Sequence, residues 1–346
     1  MKRFKLSPIL FVGILIASIT SCENQNVEFP NYEGGTTVYF AYQYPVRTIV
    51  LGDDTYDTTL DNEHRCEIYA TMGGVYENKE TVNIDIAVDN GLCDKLFFED
   101  GSPVQAMPSN YYTLGGNQIV LNKRMQGAVG VQLHDPFFSD PRALEKTYVI
   151  PLLMTKVQNA DRILTGRQLI ENAPRTYSDA WDILPQDYVL YALKFINPWH
   201  AKYLRRGVDL ITENGVTTTN VRHKQYVEND EVCSLTTKGL KVTDFPVKTT
   251  VPDGVGGVQT LTCDLLLTFN DNNECTISTN TQGYTANGSG KFVKGGDKNS
   301  WGNKDRNALY LEYNIDFGAK QYSTKDTLVV QTRGVAAEWF IPTYKN

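Results

Sequence analysis

The chain has 346 residues, a net charge of −7 and 41 % hydrophobic residues, enough for one large core or two ordinary ones. Its acidity argues against nucleic acid as a partner, since a polyanion would be repelled. The aromatic class is the one enrichment with a use in recognition: twenty Tyr and four Trp.

In chain order, Lys2, Arg3 and Lys5 precede an apolar run from Ile9 to Ile19, of signal-peptide length and short for a membrane span. The run ends in Ile19-Thr20-Ser21-Cys22. Small residues directly before a Cys resemble the lipobox of bacterial lipoproteins. In that reading residues 1–21 are a signal peptide, and Cys22 becomes the lipidated N-terminus, held durably by several acyl chains. Cleavage removes three positive charges, taking the net charge from −7 to −10. Residues 22–35 are polar, with Pro and paired Gly, and read as a tether.

From 36 to 156 the dominant signal is alternation. Val82, Ile84, Ile86 and Val88 alternate with polar or small residues and end at Asp89-Asn90-Gly91; Val129, Val131 and Leu133 repeat the pattern. Short strands separated by turn residues predict a two-sheet sandwich. Pro45 and Pro151 belong on edges or at bulges, because neither can donate to a ladder. Residues 157–184 lose the alternation and read as a connector, with room for a short helix ended by Pro174. The region 185–346 is again β. Leu261, Cys263, Leu265, Leu267 and Phe269 share one face. Leu309, Leu311, Tyr313, Ile315 and Phe317 share another, opposite Tyr310, Glu312, Asn314 and Asp316. Long strands joined by turns predict an antiparallel barrel, with Asp187 to Asn197 as its first strand or, nearly as well, a helix. The fold class expected is all-β.

Five Cys follow Cys22, an odd number with no CxxC spacing, and read best as small buried hydrophobes. A turn at Asn270–Asn273 places Cys263 opposite Asn280 and Cys275 opposite Thr268, too far apart for a disulfide; Cys66 with Cys93 stays open. The glycine-rich GSGKFVKGGDKNSWGN (288–303) is not a phosphate loop. Phe292 follows Gly290-Lys291 where a hydroxyl is needed for Mg²⁺, and no helix follows. It reads as a strand end, a turn around Gly295-Gly296 and an exposed connection. No G-x-S-x-G or H-E-x-x-H occurs, and His64, His134, His200 and His223 have no partner at metal spacing. No cofactor, metal or catalytic residue is expected.

Flat aromatic side chains can carry the C–H face of a sugar ring while polar neighbours bond its hydroxyls. The ligand-binding candidates are therefore Trp301 with Asp297 and Asn299, and Trp199 with Tyr203. Packing on a pleated sheet is the competing use of each aromatic. Trp181 and Trp339, in apolar context, are expected in the core.

The segments VYF (38–40), TVNIDIAVDN (81–90), NYYTL (110–114), KTYVIPLLM (146–154) and NADRIL (159–164) resemble an N-terminal immunoglobulin-like domain of unknown function of Bacteroidetes cell-surface lipoproteins. DYVLYALKFINPWHAKYLRRG (187–207) and the stretch from 288 through ALYLEYN (308–314) are similar to a calycin-like C-terminal β-barrel domain of unknown function that accompanies it. The resemblance implies an immunoglobulin-like sandwich followed by a calycin- or lipocalin-like barrel. It further implies an outer-membrane, surface-exposed lipoprotein of a polysaccharide-utilisation system. The implied partners are an oligosaccharide or polysaccharide and a glycan transporter complex. Related glycosidase modules carry a D-x-x-D-x-D-x-E strand motif that is missing here. The rival expectations are a hydrolase with carboxylates in the barrel mouth and a structural or adhesion subunit. An apolar ligand inside the barrel is a variant of the binding reading.

Overall fold

The computed structural model describes residues 30–345. The signal segment, Cys22 and most of the tether lie outside the described residues. The described chain is all-β, a sheet sandwich followed by a closed eight-stranded antiparallel barrel.

The sandwich packs a five-stranded sheet on a seven-stranded one. Val82, Ile84 and Ile86 of strand Thr81–Val88, and Val129, Val131 and Leu133 of strand Gln126–Leu133, are buried between them as their alternation requires. Val88 departs from the pattern: it lies at the strand end and is exposed. Pro45 is the first residue of its strand. Pro151 is tolerated in a central strand because its ladder gap is local. On that edge Tyr148 and Val149 pair with Gln105 and Ala106, and pairing with Thr81–Val88 resumes only at Leu152.

Two segments expected elsewhere belong to the sandwich. Strand Tyr188–Ile196, the expected opening strand of the barrel, is antiparallel to Tyr148–Gln158 and parallel to Pro45–Val50. It is apolar on both faces because each face meets a separate cluster: Val189, Leu193 and Phe195 on one side, Tyr188, Leu190 and Ala192 on the other. The C-terminal segment also returns, as Glu338–Trp339 on Pro45–Val50 and Thr343–Tyr344 on Leu96–Phe97. The connector holds short extended pieces in place of the expected helix, with Leu169 and Ile170 exposed, and its helical piece is a 3-10 turn at Ser178–Ala180. Gly166 takes φ +77° there, and a Cβ at this position would collide with the Ile183 carbonyl, so glycine suits the turn. Trp181 is buried as expected, but Trp339 is exposed, because the two-residue strand carrying it sits at the sheet edge.

The barrel strands are Ala201–Glu213, Glu231–Gly239, Val242–Pro252, Val258–Phe269, Glu274–Thr279, Thr285–Asp297, Arg306–Asp316 and Lys320–Thr332. The last closes on the first from Lys202↔Thr332 to Glu213↔Lys320. Cys275 pairs with Phe269, one residue from the expected register, and all five described Cys are free thiols. Burial pushes the Cys66, Cys93, Cys233 and Cys275 thiols up to about 12, as expected of packed rather than reactive cysteines.

The lumen is filled. One end holds an apolar plug that includes Trp199, Tyr203, Phe245, Phe269, Phe292 and Leu309. Beyond it lies a buried ionic cluster. Asp326 accepts from Arg205 Nε at 3.0 Å, Tyr313 OH at 2.7 Å and Arg222 at 2.6 Å. Arg222 also pairs with Asp209 at 2.6 Å, and Thr324 donates to Asp209 at 2.9 Å. Side chains occupy the space that a ligand inside the barrel would need.

Candidate functional site

The segment after Asp297 builds the rim. The chain does not reverse at Gly295-Gly296, as expected. It continues as strand through both, with a register shift between Val293 and Asp297. Gly295, at φ +58°, instead makes a bulge pinned by its N–H to Asn307 Oδ1 at 2.9 Å. The reversal lies at 298–305. Asp305 holds it by accepting from the Asn299 N–H at 3.0 Å and from Lys298 Nζ at 2.8 Å. Asn299, Gly302 and Asn303 occupy left-handed backbone positions, where Asn and Gly are the tolerated residues.

Trp301 is neither bare nor sealed. The Arg306 guanidinium lies 3.3 Å from its ring centroid, and its indole N–H donates to the Val330 carbonyl at 3.2 Å. One face is therefore occupied. Trp199 and Tyr203 are buried and offer no free aromatic face. Trp199 lies flat on Phe269 with centroids 3.9 Å apart, and the Tyr203 hydroxyl donates to the Trp199 carbonyl at 2.7 Å. Both answer the packing demand of a closed barrel. Asp297 Oδ2 and Ser300 Oγ are buried without a hydrogen-bond partner among the described residues, and the Asn299 side chain is exposed.

Of the expected site residues only Tyr203 lines the cleft of about 240 Å³ where the barrel mouth meets sandwich loop 52–55; Trp301, Trp199, Asp297 and Asn299 do not. Tyr203 and Phe292 form part of its wall, and Arg306, Asp305 and Asn307 its rim. Lys294 crosses it to Asp53 at 2.7 Å. At its base Arg333 donates to four carbonyls, those of His200 (2.6 Å), Asn197 (2.7 Å), Asp53 (3.0 Å) and Leu51 (3.1 Å). Burial holds this guanidinium below its ordinary pKa. Arg333 thus locks barrel to sandwich. The cleft is crossed by the Lys294–Asp53 pair and braced at its base by Arg333.

A larger feature lies on the barrel wall, an open groove of about 900 Å³ across its fifth to eighth strands. The register aligns Glu274, Lys291, Tyr310 and Thr327 in one cross-strand row, and Thr276, Ser289, Glu312 and Lys325 in the next. Lys291 pairs with Glu274 at 3.2 Å and Lys325 with Glu312 at 3.1 Å, all four well exposed. Tyr310, a member of the first row, is 38 % exposed. Burial first, and then the nearby Asp297 carboxylate, raise its pKa, so it stays a neutral phenol. Of the expected site residues only Asp297 approaches this groove. Tyr310, Lys291, Glu312 and Lys325 were not among them, although their outward phase is readable: Tyr310 and Glu312 alternate with Leu309, Leu311 and Tyr313.

Residues 198–334 match a domain of unknown function (DUF5627), and residues 30–161 match an N-terminal domain family. A Bacteroides ovatus protein of unknown function, solved by crystallography, is 44 % identical, with a TM-score of 0.85, covering 91 % of this chain and 100 % of that one. A second Bacteroides ovatus structure of unknown function is 12 % identical, with a TM-score of 0.39 over 88 % of this chain and 99 % of that one. A third, a candidate carbohydrate-binding protein of the same species, is 9 % identical, with a TM-score of 0.25 over 86 % of this chain and 98 % of that one. Neither of the last two is close enough to carry an argument. No curated protein matches the chain. By its identity to the first structure, the chain belongs to that Bacteroides ovatus protein's family, in which a β-sandwich carries a DUF5627 barrel.

Proposed function

We propose that the chain is a carbohydrate-binding lipoprotein without catalytic activity, anchored through Cys22 to the outer membrane, with the barrel wall as its ligand-bearing surface. The observation that carries this is the groove around Tyr310. It supplies a partly exposed aromatic face set in one cross-strand row of carboxylate, ammonium and hydroxyl groups and beside a second such row. Sugar hydroxyls both donate and accept, so charged groups of both signs can serve them through charge-assisted hydrogen bonds. An open groove admits a chain threaded along it, where a pit would take only an end. The lipobox-like Ile19-Thr20-Ser21-Cys22 supports the anchor, and the sandwich then acts as a spacer below the barrel.

The test is retention of the full mature protein on immobilised polysaccharides and glycan arrays. Tyr310→Ala is expected to weaken binding at least about tenfold, or about 1.4 kcal/mol, with an unchanged circular dichroism spectrum. Trp301→Ala should act less, through Arg306. Metabolic labelling with a radioactive fatty acid, lost in Cys22→Ala, reads the anchor in the same cells. Failure of the wild type to retain any glycan would refute the binding role.

A further inference from the structure

A separate recess opens at the edge of the sandwich, between its sheets, and holds about 280 Å³. Ile68, Ala70 and Val189 line its depth, and Tyr191 reaches it from strand Tyr188–Ile196. At its border Tyr42 is 62 % exposed and Tyr69 53 % exposed. Trp339 extends this border, its ring centroid 5.8 Å from Tyr42. It is held there because Glu338–Trp339 pairs with the start of Pro45–Val50. Of the chain's four Trp, Trp339 alone is exposed. Scattered exposed aromatics are ordinary, but three converging on one recess make a contiguous apolar surface that is costly to leave wet.

The polar groups around the recess narrow the ligand. The Tyr69 hydroxyl donates to Glu67 Oε2 at 2.5 Å, which orients the Tyr69 side chain at the border. Glu67 and Gln126 also border the recess, supplying acceptors and a donor. No Lys or Arg lines it. A sulfated or uronic sugar would therefore meet a carboxylate and no cation, an arrangement costing affinity. A neutral ring with one apolar face meets aromatic surface, an acceptor and a donor.

We infer that this recess is a second carbohydrate subsite, taking one neutral pyranose ring stacked on the Tyr42–Tyr69 border. The inference rests on the carbohydrate-binding reading of the barrel, but it uses none of the barrel's residues. Arg333 fixes the two domains together, so one polysaccharide reaching both sites would gain by effective concentration, whereas a short oligosaccharide would not.

The experiment is ¹⁹F NMR of the full mature protein labelled with 5-fluorotryptophan, titrated with cellohexaose, xylohexaose, mannohexaose and maltohexaose. Trp339→Phe assigns the resonance. At least one neutral probe is expected to shift the Trp339 signal saturably, and to do so equally in Tyr310→Ala. Tyr42→Ala and Tyr69→Ala should each weaken that response at least about tenfold, a loss typical of a buried aromatic anchor, with unchanged circular dichroism. A Trp339 signal unmoved by every neutral probe, while Tyr310-dependent retention persists, would overturn the subsite and leave the barrel reading intact. A response only to sulfated or uronic oligosaccharides would overturn it as well. A saturable Trp339 response, with retention on immobilised glycans unchanged by Tyr310→Ala, would instead overturn the barrel reading alone.

Discussion

The two domains solve the same packing problem differently. The sandwich core is apolar, from Val38 to Phe195. The barrel core is also apolar, from Trp199 near the sandwich to Ile315 and Phe317 at the other end, but Arg205, Asp326, Tyr313, Arg222 and Asp209 form a buried polar cluster between. A sandwich can adjust the distance between its sheets to its side chains, whereas a closed barrel has a diameter set by strand number and stagger. Long guanidinium side chains span that diameter, and their buried charges are acceptable only because each has a partner. The consequence for function is direct: with the lumen occupied, ligands are left the outer wall and the edges.

That contrast can be broken most severely at Asp326. Asp326→Ala strips the carboxylate from Arg205 and Arg222 and should cost about 3–5 kcal/mol, as for removing one partner of a buried pair. Urea unfolding followed by fluorescence would measure it. A loss below about 1 kcal/mol would mean that the cluster is wetter than its burial indicates. Next in size is the seam. Arg333→Met takes a charged donor from four carbonyls, those of Leu51 and Asn197 in the buried interior, and should cost about 2–4 kcal/mol. It should also split the calorimetric transition in two, sandwich and barrel melting apart. A single sharp transition in the variant would place the coupling elsewhere.

The smallest expected effect is a pH dependence at the same seam. His200 Nδ1 accepts from the Thr237 N–H at 3.1 Å, and burial, then Arg333 and Lys194, lower its pKa to about 4. A depressed histidine favours the fold while neutral. Its contribution is complete above the unfolded value of about 6.5 and is lost as pH falls through about 4. Discounted for partial solvent screening, the loss is on the order of 2 kcal/mol. Between pH 7 and pH 4 the wild-type melting temperature should therefore fall more steeply than that of His200→Gln, which keeps an acceptor but cannot titrate there. Parallel slopes would remove His200 from the account.

Much of this was legible in residue order. Period-two alternation marked Thr81–Val88, Gln126–Leu133, Val258–Phe269 and Arg306–Asp316 as strands and told their inner faces from their outer ones, because successive side chains on a strand point oppositely. The failed phosphate-loop pattern at 288–303 pointed to a strand and turn, but placed the turn at Gly295-Gly296 and not at 298–305, where the hairpin reverses. What alternation cannot say is which sheet a strand joins. Tyr188–Ile196 is apolar on both faces, so only its hydrogen-bonded neighbours assign it to the sandwich. Aromatic identity was equally silent about exposure. Trp199 and Tyr203 went to the barrel plug and Trp339 to the surface, since an aromatic ring gains from a pleated sheet on either side. The groove around Tyr310 joins residues from four strands that are not neighbours in sequence. Cross-strand register alone brings them side by side, and register is a property of the closed barrel.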